Sequence, residues 1–160
     1  MTLESDGEHR TLATVRMLLL GILSVGVLGA IVDLLLLKHY EDVWQAPPLV
    51  LLSAALIALA LMWTGPSRTT VRMFAGLMGL FILSGFVGLM LHYNGNLEFQ
   101  REVDPTRSGW TLFVAALRAK APPALAPAVM IQLGLIGLLC TYRHPALTRA
   151  GHSSRPVPQE

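Results

Sequence analysis

The chain has 160 residues, of which 53% are hydrophobic and only 14% charged, with a mean hydropathy of +0.56. Soluble domains carry about 25% charge, and a chain this small in water has too much surface for its volume to hide so many apolar side chains. The same figures exclude a disordered chain, the lone Cys140 excludes a disulfide scaffold, and a net charge of +2 does not mark a nucleic-acid binder.

The composition therefore predicts an all-α integral membrane protein, and the apolar runs divide it. A spanning helix needs about 20 apolar residues. The first run, Met17 to Leu37, is interrupted only by Asp33. A cleaved signal peptide is the rival reading, but the run continues past any weak cleavage site near Gly29-Ala30, too far for a signal core. The second follows Ala46-Pro47-Pro48 and reaches Trp63 before Gly65-Pro66. Its prolines suit a first helical turn, where the missing N–H is no loss. The third, Met73 to Leu91, has no charge, and the fourth, Ala124 to Tyr142, holds Gln132 near its middle and Pro127 near its start. Helices are expected at 17–37, 47–64, 71–92 and 123–142, forming one transmembrane domain over 1–145 with a disordered cytoplasmic tail at 146–160.

Between the third and fourth helices, Asn94 to Ala121 is too long for a bare connector. Ser108 can cap a helix over 109–120 in which Trp110, Phe113 and Leu117 recur at i, i+3 and i+7. Arg118 and Lys120 fall in its last turn, which favours cations. An amphipathic helix of this kind suits the membrane interface.

Two hairpins in tandem are also legible. Thr14-Val15-Arg16-Met17 recurs as Thr70-Val71-Arg72-Met73, each opening an odd-numbered helix that ends in His39-Tyr40 or His92-Tyr93. Ala46-Pro47-Pro48 and Ala121-Pro122-Pro123 open the even-numbered ones. The shared order points to an internal duplication, with convergent flank chemistry as the alternative. Seven Lys and Arg flank one side of the spans and five the other. The positive-inside rule then puts both termini in the cytoplasm, and no organelle signal argues against the plasma membrane of a bacterium.

Helices associate in lipid through small residues. Gly26 and Ala30, Ala75 and Gly79, Ser84 and Gly88, Gly134 and Gly137, and the alanines of the second helix supply such faces for packing, for a homodimer or for a partner membrane protein. The candidate polar groups within the membrane are Asp33 and Gln132. Ionisable residues there default to a functional hypothesis, although Asp33 lies only five residues before Lys38, where water is close. At the outer face the candidates are His39, Glu41, Asp42, His92, Glu98 and Trp110. His39 and His92 occupy matching helix ends and could ligate haem or a metal, with the acidic residues as oxygen donors; interfacial His-Tyr pairs are the plainer reading.

No phosphate loop, nucleophile elbow, CxxC pair or HExxH motif occurs, so no cofactor is expected and the chain leans away from catalysis. Three functions stay open: a non-catalytic accessory or scaffold membrane protein, a small transporter or channel using Asp33 and Gln132, and a haem or metal protein using His39 and His92.

Overall fold

A computed structural model describes residues 2–119 and 123–148. Their helices are α1 (Thr2–Leu36), α2 (Ala46–Trp63), α3 (Arg68–Val103), α4 (Gly109–Leu117), α5 (Ala128–Thr141) and α6 (Pro145–Thr148), with a 3-10 turn at Val43–Gln45. Three segments are long and apolar enough to cross a membrane, at Arg10–Leu36, Val43–Trp63 and Arg68–Val103. By length and composition this is a membrane protein.

Local signals set several of the helix ends. Pro47 and Pro48 sit in the first turn of α2, and Ser67 caps α3 by accepting a hydrogen bond from the Thr70 N–H at 3.1 Å. That contact satisfies one of the donors every helix start leaves open. The helix α3 stops at Asp104, whose position before Pro105 disfavours the α conformation. The Asp104 carboxylate then accepts from the Thr106 N–H at 3.1 Å and the Thr106 hydroxyl at 2.6 Å.

Four expected boundaries change. The first helix begins at Thr2 instead of residue 17. The third continues eleven residues past His92, so the start of the expected loop, Asn94 onward, is helix. Asn94, Gly95 and Asn96 are poor helix formers, but α4 packs back on this extension and Asn96 is only 2% exposed; tertiary packing overrides propensity. The fourth helix starts at Ala128, not 123. Pro127 lacks an N–H and disfavours the α conformation at Ala126, so Ala128, Val129 and Met130 bond three residues back, to Leu125, Ala126 and Pro127. At 14 residues α5 is about 21 Å long, short of the ~30 Å hydrocarbon layer. Finally, the start of the expected tail, 146–148, is helical as part of α6; residues 149–160, Lys120 and the first two residues of the Ala121-Pro122-Pro123 motif lie outside the described residues.

The interior is built from stripes at helical spacing. Leu20, Leu23 and Val27 of α1, Leu52, Ala55, Leu59 and Met62 of α2, Val71, Phe74, Met78 and Phe81 of α3, and Met130, Leu133 and Cys140 of α5 form one apolar core. Spacings of three and four residues keep each stripe on one helix face. Helix α1 packs on α2, α2 on α3, α3 on α5, and α5 returns to α1, so α1 and α3 face each other across the core. Glycines set the closest approaches. A Cβ added at Gly85 would stand 2.9 Å from the Ile131 nitrogen, and one at Gly26 would stand 2.6 Å from Leu133 Cδ2. Gly137 abuts Met78 and Leu23, so α1 and α5 run antiparallel.

The amphipathic helix exists as α4 but buries a different face. Leu112 and Ala116 are buried against the α3 extension, whereas Trp110 is 74% exposed and Phe113 38% exposed. The Trp110 and Phe113 rings stack at 5.1 Å, and Tyr93 of α3 meets Phe113 at 5.8 Å. Ser108 occupies the cap position but makes no side-chain cap bond.

Candidate functional site

The end of α1 turns on a residue in an unusual conformation. Lys38 has φ 51°, the left-handed region, which costs an L-residue roughly 1–2 kcal/mol. Its N–H bonds to the Leu35 carbonyl at 3.1 Å and the His39 N–H to the Leu34 carbonyl at 2.8 Å, the paired closure of a Schellman motif. The reversal brings His39 to His92 of α3, with ring centroids 6.3 Å apart and planes tilted by 58°. Nδ1 of His92 lies 3.0 Å from the Pro123 carbonyl oxygen. A carbonyl only accepts, so Nδ1 carries a proton, and in the neutral ring Nε2 is the nitrogen with the lone pair. Burial holds the His39 pKa below its usual value, and His92 lowers it further by charge repulsion.

The acids Glu41, Asp42 and Glu98 do not join this pair in a metal-binding group. Asp42 is occupied in the turn ahead of α2, accepting from the Trp44 N–H at 3.1 Å, while the Glu41 N–H bonds to Gln45 Oε1 at 3.1 Å. Glu98 and Trp110 are exposed on α3 and α4. Among the described residues no group of three or more His, Cys, Asp or Glu stands ready for a metal ion.

Asp33 and Gln132 face outward. Both are exposed, and so is Gly29, one turn before Asp33. Asp33 is seven residues past Gly26, which meets Leu133 of α5; positions i and i+7 share a helix face. Gln132 adjoins Leu133 in the chain. The two polar residues therefore border the exterior of the α1–α5 seam, at different heights along it. The core beneath is apolar: the only buried polar or charged residues among those described are Asn96 and His144, and both lie outside it.

Sequence reading missed the opposite end. Arg16 of α1 donates to the last carbonyls of α5: Nε to Cys140 at 3.0 Å, and one Nη to Tyr142 at 3.1 Å and Arg143 at 3.4 Å. In the sequence Arg16 counts only as a flank charge, and nothing local signals partners more than a hundred residues away. Next to it, His144 is buried, and its Nδ1 accepts the Ala146 N–H at 3.2 Å as it caps α6.

Burial lowers the His144 pKa, and the nearby Arg16 charge adds to the effect. Its unfolded value is about 6.5. Because the folded value is depressed, this contribution to stability is complete above pH 6.5 and is lost as pH falls through the folded pKa. A lower thermal midpoint in detergent at pH 5.5 than at pH 8 is expected. His144→Asn keeps a capping oxygen and removes the titration, so the pH difference should shrink, leaving the part due to His39. An unchanged difference would refute the assignment.

The comparisons with known proteins give no relative to argue from: no family model, no curated protein and no solved structure matches the chain.

Proposed function

We propose that the chain is a non-catalytic accessory or scaffold subunit that holds another transmembrane helix against the exterior of its α1–α5 seam. The observation that carries this reading is the outward exposure of Asp33 and Gln132 within apolar helices. An Asp at a helix centre facing lipid costs about 2.5–3.5 kcal/mol on insertion scales. Even nearer the interface, a carboxylate and an amide on an apolar surface favour a neighbour that completes their hydrogen bonds. Gly29, with open space where a Cβ would stand, lets such a neighbour approach closely.

In this proposal α1, α2, α3 and the shorter α5 form a multi-pass four-helix bundle of two duplicated hairpins, in a bacterial plasma membrane with both termini cytoplasmic. The flank arginines support the orientation, and the recurrence of Thr14-Val15-Arg16-Met17 as Thr70-Val71-Arg72-Met73 supports the repeat. A transporter remains the second reading. Since Asp33 and Gln132 open outward, its path would follow an interface with a partner or a second copy.

Cross-linking in native membranes tests the proposal. The unaltered chain is expected in a complex larger than a monomer. Asp33→Leu with Gln132→Leu should abolish that complex without lowering the thermal midpoint, because neither side chain packs in the core. A monomeric chain, or a complex that survives the double substitution, overturns the docking seam. Asp33→Asn in proteoliposomes separates the second reading: a change in ion flux would favour transport.

A further inference from the structure

We propose that His39 and His92 form a two-histidine site for a late first-row divalent cation, Zn²⁺ or Cu²⁺. The site is separate from the α1–α5 seam and does not depend on the scaffold reading.

Three observations converge on it. The first is convergence itself: α1 and α3 face each other across the core, and the left-handed turn at Lys38 carries His39 to His92. The second is separation. Metal–nitrogen bonds of about 2.0–2.1 Å, plus roughly 1.2 Å from each nitrogen to its ring centre, put the centroids of two ligating imidazoles about 5–6.5 Å apart, depending on the bond angle. The observed 6.3 Å lies at the wide end of that range, whereas a tetrahedral angle sets about 5.3 Å, so the two rings close by about 1 Å as the ion binds. The third is orientation. Histidines that bind metals commonly donate their other N–H to a carbonyl or carboxylate, which fixes the tautomer and the ring. His92 makes this bond to the Pro123 carbonyl at 3.0 Å, leaving the Nε2 lone pair for a ligand.

Imidazole donors suit zinc and copper better than the hard cations, which prefer oxygen. With no third protein ligand among the described residues, the remaining coordination positions are filled by water, so the ion is exchangeable and held more weakly than in a closed structural site.

Isothermal titration of the full chain in detergent, free of any histidine tag, tests the proposal with Zn²⁺ and Cu²⁺ in separate runs. One ion per chain is expected, together with a Zn²⁺-dependent rise in thermal midpoint, as follows when a ligand binds only the folded state. His39→Gln and His92→Gln should each weaken binding by at least about ten-fold, while His144→Asn leaves it unchanged. No saturable binding, or equal binding in all variants, overturns the site. Should a histidine variant fail to fold, X-ray absorption of the Zn²⁺-loaded unaltered chain decides: two imidazole ligands support the proposal and fewer refute it. A Soret band in the purified protein would replace the ion with haem.

Discussion

Gly134→Ala is expected to destabilise the protein by about 2 kcal/mol, while Gly79→Ala is neutral or stabilising. The two substitutions are chemically identical, and the helix propensity gained is the same at both, about 0.8–1 kcal/mol in favour of alanine. The surroundings reverse the sign. At Gly79 nothing lies within 4 Å of the added carbon, so only the propensity gain remains. At Gly134 the carbon would stand 2.7 Å from the Met78 carbonyl oxygen and from Ile82 Cγ1, and 3.1 Å from Phe81 Cβ. Forcing a methyl into a packed interior costs about 1–3 kcal/mol. The upper end applies because a carbonyl oxygen within a helix cannot rotate away. Gly137 is a milder case: it abuts the Met78 side chain, which is flexible enough to adjust. Unfolding of the two variants in the same detergent checks the opposite signs, and equal midpoints would show that α3 and α5 are not this close.

That contact shows what sequence patterning conveys and what it hides. Hydropathy marks Met17–Leu37, Leu49–Trp63 and Met73–Leu91 as apolar, and each run lies within a helix apart from Leu37, which follows the end of α1. It does not register a missing N–H, so Pro127 hides inside the fourth run and the helix starts later than the run does. The loop-like Asn94-Gly95-Asn96 becomes helix because α4 covers it, a long-range effect with no local trace. Within α4 the apolar residues allow two faces, and the wall supplied by α3 selects Leu112 and Ala116 over Trp110 and Phe113. The candidate sites divide in the same way. His39 and His92 were legible as a recurring His-Tyr pair, and the two rings meet, although His92 lies inside α3 and not at its end. The facing of Asp33 and Gln132 was not, because hydropathy counts residues along the chain and carries no information on which neighbour each face meets.

Arg16→Met is expected to cost about 3 kcal/mol, with Arg72→Met within about 0.5 kcal/mol of the unaltered chain. Both arginines sit in the same four-residue motif, so sequence alone treats them as equivalent. Arg72 is exposed. Arg16 reaches three carbonyls where α5 ends, those of Cys140, Tyr142 and Arg143. Helix ends leave such carbonyls without intrahelical partners, and Arg143 bends away at φ 46°, so the helix does not continue to supply them. Hydrogen bonds to a charged group contribute about 1.5–3 kcal/mol net. A cation at a helix C-terminus adds about 0.3–2 kcal/mol through the dipole. Methionine preserves much of the packed stem, so the loss reports the guanidinium and not a cavity. Arg16→Lys should recover only part of it, since an ammonium lacks the planar fork that spans separate carbonyls. Unfolding midpoints of the three variants, measured in one detergent, test the ranking: if Arg16→Met and Arg72→Met were equal, Arg16 would be a flank charge after all, and the short α5 would hold its end by packing alone.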